Sequence, residues 1–161
     1  MINRELINPQ SIVVVGGSNN VHKPGGRLVR NLLDGKYKGE LYVVNAKEDD
    51  VQGLKSYHSV HDIPETELAI ISIPGPACPE AVDVLAKQKN VKAFIVISAG
   101  FGEETHEGAI LEEQMLKSIN EAGASLIGPN CIGLMNMHYH GVFTQPIPEI
   151  HADGVAFISS S

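Results

Sequence analysis

The sequence predicts an α/β fold, a doubly wound and mainly parallel sheet covered by helices on both faces. Short apolar runs rich in Val and Ile recur along the chain, and each is closed by glycine, proline or asparagine. Segments with a period near 3.6 lie between them. Continuous apolar runs mark strands buried on both faces, and strand–helix alternation calls for right-handed crossovers between parallel strands.

Taken in order, the first strand is Ser11-Ile12-Val13-Val14-Val15, stopped by Gly16-Gly17. Leu28, Val29, Leu32 and Leu33 then form one face of a helix that ends at Gly35. The second strand is Leu41-Tyr42-Val43-Val44 and the third runs from Leu68 to Ile73. Val82, Leu85 and Ala86 lie on a helix opened by Pro79 and closed by Asn90. The fourth strand runs from Ala93 to Ile97. Leu111, Met115, Ile119 and Ala122 mark the longest helix, closed by Gly123, and Ser125-Leu126-Ile127 is the fifth strand. The pattern is Rossmann-like. A sixth run, Val155-Ala156-Phe157-Ile158, comes three residues before the final Ser161. Residues 1–161 therefore read as one domain whose last strand, near 155–158, leads into a second domain outside this chain.

Composition narrows the function. The 161 residues match one ordinary domain, and 43% hydrophobic with 19% charged residues excludes a disordered polar chain. There is no apolar run long enough to span a bilayer, and the first ten residues, with Arg4 and Glu5, carry no signal-peptide core. The expectation is a cytoplasmic protein without a membrane partner. Two cysteines make neither a disulfide scaffold nor a zinc site. A formal charge of −7 disfavours a nucleic-acid partner. The charge is uneven, however. Residues 20–47 set Lys23, Arg27, Arg30, Lys36, Lys38 and Lys47 against only Asp34 and Glu40, whereas residues 48–161 hold 5 basic and 16 acidic side chains. The basic stretch is either a local anion site or a solvated face.

Ligands of open parallel sheets bind beyond the carboxyl ends of the strands, where strand order reverses. After the first strand come Gly16, Gly17, Ser18, Asn19 and Asn20, then Lys23-Pro24-Gly25-Gly26 at the helix start. Such a loop either cradles phosphate on free N–H groups or is simply a glycine turn. After the second strand comes Asn45-Ala46-Lys47, where an NAD site would carry Asp or Glu. An ammonium there fits the phosphorylated ribose of NADP or coenzyme A, with Glu48 one residue on and a solvated Lys47 as the plain alternative. Ile73 and Pro74, followed by Gly75-Pro76, form either a stiff wall for an adenine or a helix entry. The fourth strand leads to Ser98, Ala99 and Gly100, small residues that permit close backbone approach, and the fifth to Gly128-Pro129-Asn130-Cys131. Asn130 offers an amide to a ligand. Cys131, without a His or Arg neighbour, is a packing residue rather than a reactive thiol. No spacing among His22, His58, His61, His106, His138, His140 and His151 matches a metal motif, so no metal site is assigned. Glu103, Glu104, Glu107, Glu112 and Glu113 read as a solvated helix start and face. No catalytic residue is assigned.

Together these segments resemble the N-terminal coenzyme A-binding domain of the NDP-forming acyl-CoA synthetases, which include ADP-forming acetate–CoA ligase and the succinyl-CoA synthetase α subunit. The residues that carry the resemblance are Asn8 to Ser18, Tyr42 to Lys47, Val60-His61-Asp62-Ile63-Pro64, Val96 to Glu103 and Ile127 to Gly133, with Phe157-Ile158-Ser159 at the end. The resemblance implies that acyl-CoA, ADP and phosphate interconvert with a carboxylic acid, CoA and ATP. It implies an acyl phosphate and a phosphohistidine beyond Ser161, with ATP and ADP handled only by absent parts of the parent. The implied partners are those remaining domains or an ATP-grasp β subunit. Carried onto this chain, it implies that Gly16 to Asn20 receive the pyrophosphate and Lys47 the phosphorylated ribose. Ile73 and Pro74 would border the adenine, Ser98, Ala99 and Gly100 the pantetheine, and Asn130 and Cys131 the thiol end. Gly17 stands where the family commonly has Ala and is expected to loosen the turn. Ala46 and Ser160 also depart from the pattern. Other readings are a non-catalytic CoA-sensing or regulatory module, a domain fused to an acyltransferase, and an NAD(P)-binding oxidoreductase or redox sensor.

Overall fold

The computed structural model describes residues 2–147, so the run at 155–158 and Ser160 lie outside the described residues. Their main element is a seven-stranded sheet with helices on both faces. Strand β1 (Ser11–Val15) pairs in parallel with β2 (Glu40–Val44) on one side. On its other side it pairs in parallel with β5 (Leu68–Ile71), which is followed outward by β6 (Ala93–Val96) and β7 (Ser125–Ile127). Beyond β2 lies β4 (Leu54–Tyr57), parallel to it, and then β3 (Asp50–Val51), antiparallel to β4. The order β3-β4-β2-β1-β5-β6-β7 reverses direction between β1 and β5, which creates a crevice at their carboxyl ends.

Alternate residues of each central strand feed two separate cores, because side chains point to opposite faces with a period of two. Val13, Val15, Ala69, Ile71, Phe94 and Val96 meet Val82, Leu85, Met115 and Ile119 of helices α3 (Cys78–Gln88) and α4 (His106–Glu121). Ile12, Val14, Val43, Ile70 and Ile95 meet Leu28, Val29 and Leu32 of α2 (Pro24–Asp34). That second face is also covered by α1 (Arg4–Ile7) and by a hairpin of β8 (Gly133–Met135) and β9 (His140–Val142). Each fully buried Val, Ile or Leu contributes about 1.5–3 kcal/mol relative to exposure.

The strand ends fall one or two residues short of the apolar runs. Ile73 and Ile97 continue their runs in sequence but lie past the last ladder pairs, in the loops that build the carboxyl edge. Asn90 and Gly123 close their helices at φ +57 and +62, as their residue types predict. At the end of α2 the left-handed residue is Lys36, φ +51, while Gly35 is right-handed. Gly35 is needed there for space, since a Cβ would sit 2.6 Å from His140 Nδ1. Among the described residues no helix is long and apolar enough to cross a membrane.

Candidate functional site

The carboxyl edge of the sheet joins most of the sequence-predicted residues into one line. Gly16 ends β1 at φ +90, and a Cβ there would lie 2.2 Å from Ser72 O and 2.9 Å from Ile73 Cγ2. Only glycine lets the β1 loop lie this close to the β5 loop. The Ser98 hydroxyl donates to Ile73 O at 2.5 Å, which ties the β5 loop to the β6 loop. Asn130, at φ +53, donates its N–H to Ser98 O at 2.9 Å and so adds the β7 loop. Gly16, Ile73, Ser98 and Asn130 thus succeed one another across four strand ends, with exposed Pro74 and Ala99 beside them.

On the other side of β1, the side chain of Asn45 fixes the end of β2. Its Nδ2 donates to Gly17 O at 2.8 Å, and its Oδ1 accepts the N–H groups of Lys47 at 2.9 Å and Glu48 at 3.1 Å. Lys47 is exposed, and among the described residues its ammonium has no hydrogen-bond or ion-pair partner. Glu48 is engaged instead by the Asn19 amide, which also donates to Asp50 O at 2.9 Å. The amide of Asn45 and the carboxylate of Glu48 are therefore taken by the protein itself, whereas the lysine is available to an anion.

The loop from Gly16 to Asn20 packs directly on the start of α2. A Cβ on Gly25 would lie 1.9 Å from Gly16 O, and one on Gly26 2.1 Å from Asn20 O. Gly17 is buried, with Val43 Cγ1 2.4 Å from where a Cβ would stand, so it packs tightly and does not loosen the turn. The Ser18 hydroxyl accepts from Asn20 N–H at 3.0 Å, and Asn20 Oδ1 accepts from His22 N–H at 2.9 Å. Helices α1 and α4 are capped by Asn3 and Thr105, but Lys23 gives α2 no side-chain cap. In the first turn of α2, Pro24 has no N–H and the Arg27 N–H bonds Lys23 O at 2.9 Å, so the N–H groups of Gly25 and Gly26 are the ones without an intrahelical acceptor, left to solvent or an anion. Beside them is a cleft of about 290 Å³ whose walls include His22, Lys23, Arg27 and Phe143.

Cys131 packs beneath the edge: its thiol donates to Val96 O at 3.3 Å, and burial pushes its pKa up. Two glutamates differ in detail from the sequence reading. Glu103 and Glu112 do more than solvate a helix. Glu103 accepts from Gly100 N–H at 3.0 Å and Phe101 N–H at 3.1 Å, and Glu112 from Gly102 N–H at 3.2 Å. Gly100, at φ +93, thus presents no free N–H, and the β6 loop offers close backbone contact at Ala99. Sequence reasoning also missed Gln52, whose side-chain Nε2 donates to both Ser18 O and Gly26 O at 2.8 Å. The Gln52-Gly53 turn between Val51 and Leu54 was the available signal. Among the described residues no group of His, Cys, Asp or Glu is placed to hold a metal ion.

Comparison with known proteins finds relatives in both sequence and fold. The family described as CoA binding domain matches residues 10–137. The α subunit of acetate–CoA ligase [ADP-forming] II from Pyrococcus furiosus is 39% identical over 158 residues, 97% of this chain and 34% of that protein. Acetate–CoA ligase [ADP-forming] II from Archaeoglobus fulgidus is 39% identical over 134 residues, 83% of this chain and 20% of that protein. Among solved structures, the apo form of dinucleotide forming acetyl-coenzyme A synthetase 1 from Ca. Korarchaeum cryptofilum superposes with a TM-score of 0.80 at 34% identity. That match covers 87% of this chain and 31% of the other. The chain therefore spans between 20% and 34% of these relatives' length. On its sequence and its fold, the chain belongs to the CoA-binding domain family, homologous to the N-terminal domain of ADP-forming acyl-CoA synthetases.

Proposed function

We propose that the carboxyl edge binds coenzyme A, with the phosphates at the β1–α2 loop and the pantetheine running along the line from Ile73 to Asn130. The observation that carries this reading is the pairing of an uncapped helix start with a lysine, three residues past the end of the next strand, whose ammonium has no partner among the described residues. Lys47 meets the phosphorylated ribose, Ile73 and Pro74 border the adenine, and Ala99, Gly100 and Asn130 flank the thiol-bearing arm. Cys131 supports that end from beneath by packing. An NAD reading is disfavoured because no carboxylate is free at the end of β2: Glu48 is held by Asn19.

The chain acts as the CoA-binding part of a larger ADP-forming acyl-CoA synthetase. In that parent, acyl-CoA, ADP and phosphate interconvert with carboxylic acid, CoA and ATP, and the phosphohistidine and the ATP-grasp unit belong to other domains or a β subunit. This domain supplies binding and orientation of the thiol.

Calorimetric titration with CoA, dephospho-CoA, NAD and NADP tests the ligand. CoA is expected to bind tightest, about 10- to 100-fold better than dephospho-CoA, for one charge-assisted contact to the extra phosphate. Equal affinity for the two would remove the role of Lys47, and a preference for NADP would overturn the CoA reading.

A further inference from the structure

We infer that Gln52 is a positioning residue that holds the β1–α2 loop in its anion-receiving conformation, with the β3–β4 hairpin as the arm that carries it. The inference rests on the CoA reading above. Gln52 and Gly53 form the two-residue turn of that hairpin, at φ +55 and +86. From there the Gln52 side chain reaches back over the loop. Its single Nε2 donates to Ser18 O and to Gly26 O, both at 2.8 Å, so one amide clasps the two ends of residues 19–25. The grip is reinforced from the main chain, where Gln52 N–H donates to Asn19 Oδ1 at 2.7 Å and Asn19 Nδ2 donates to Asp50 O at 2.9 Å.

The chemistry of this clasp suits a phosphate site. A carbonyl oxygen turned toward a phosphate repels it, and the amide draws one such oxygen of the loop, that of Ser18, toward the hairpin while anchoring itself on Gly26 O in the first turn of α2. The N–H groups at the start of α2 are then left to face the anion without competition. Glycines 16, 25 and 26 let the loop fold back onto the start of α2 backbone against backbone, and short-range bonds at Ser18 and Asn20 shape its middle. The Gln52 amide adds the side-chain restraint that comes from outside the loop.

Gln52 also carries two local penalties that a plain turn residue would avoid. It holds a left-handed backbone conformation, for which Asn or Gly is preferred before a turn glycine. Its Oε1 is buried and has no hydrogen-bond partner among the described residues. A residue chosen for the turn alone would be Asn, which is too short to reach both carbonyls.

That contrast supplies the experiment. Gln52→Asn suits the turn better and withdraws the amide, so hairpin stability and binding move in opposite directions. The expected result is a melting temperature equal to or above that of the unsubstituted chain. CoA and dephospho-CoA should both bind about tenfold more weakly, with their ratio unchanged. In the ligand-free protein, hydrogen exchange at the amides of residues 17–26 should speed up by a comparable factor. Gln52→Met, which keeps the length and removes both donors, should show the same loss of affinity. Unchanged affinity and exchange in both variants would overturn the inference, as would affinity lost only in step with melting temperature. Should the unsubstituted chain fail to bind CoA, the functional reading falls, and the exchange comparison alone decides whether Gln52 holds the loop.

Discussion

The two ends of the sheet are built from different materials. At the amino end, side chains close the structure. Arg4 pairs with Glu67 at 2.5 Å, Glu67 accepts Gln10 N–H at 2.7 Å, and Tyr37 donates to Pro9 O at 2.8 Å. Asn3 reaches Lys92 O at 2.7 Å, Asn136 reaches Ile7 O at 2.8 Å, and the buried Tyr139 hydroxyl donates to Leu6 O at 2.7 Å. At the carboxyl end, the strand-end loops turn instead on left-handed backbone at Gly16, Gly100, Gly128 and Asn130. Side chains tie these loops too, at Asn45, Ser98 and Gln52, but the residues at the tips are small and the turns stay open. On the CoA reading proposed above, one end serves cohesion and the other reception, so substitutions at the two ends should separate stability from binding.

The largest effect is expected from Gly16→Ala. The new Cβ meets backbone at Ser72 O and must tolerate φ +90. A stability loss on the order of 3 kcal/mol in denaturant unfolding is expected, together with a more than tenfold loss of CoA affinity. Wild-type binding by this variant would break the contrast. Lys47→Ala comes next: it should lower CoA affinity by about 10- to 100-fold while leaving dephospho-CoA affinity and the melting temperature unchanged. Unfolding of that variant would place Lys47 among the structural residues.

At the amino end, Tyr139→Phe keeps the ring and leaves a buried carbonyl unpaired. It should cost about 1–2 kcal/mol of stability without altering the CoA titration. A change in affinity would mean that the two ends are not independent. The smallest expected effect concerns acid. Desolvation works against ionisation of Glu67, but the Arg4 guanidinium and Gln10 N–H outweigh it and hold the carboxyl below its usual range. The N–H groups of Glu103 itself and of Gly100 and Phe101 do the same for Glu103. Both carboxyls therefore favour folding when ionised. Their contribution is complete above the unfolded value of about 4.3 and fades as pH drops through the lower folded values. Glu67→Gln should make the acid limb of a stability–pH curve shallower, and an identical limb would refute the assignment.

What the sequence disclosed follows the same division. Val13, Val43, Ile70 and Ile95 announce the central strands because a strand buried on both faces must be apolar throughout. The loops after β1, β5, β6 and β7 were legible through glycine, proline and asparagine, whose backbone preferences are local. Strands β3, β4, β8 and β9 and helix α1 were not legible, since two to four residues are too few to display a period. Nor did sequence distance allow the bonds of Asn31 Nδ2 to Val142 O at 2.7 Å and Thr144 O at 3.2 Å. An amide among Leu28, Val29 and Leu32 hints only that some buried partner exists. Gln52 escaped for the same reason, because its partners lie 26 and 34 residues away.

Among the described residues the sheet also ends in very little strand at either margin, two residues in β3 and three in β7. Unpaired peptide groups on a sheet margin are a template on which a neighbouring molecule can extend the ladder, and stubby margins offer few of them. The hairpin that reaches back to the β1 loop thereby has a second, passive consequence: it guards the molecule against growth into fibrous aggregates.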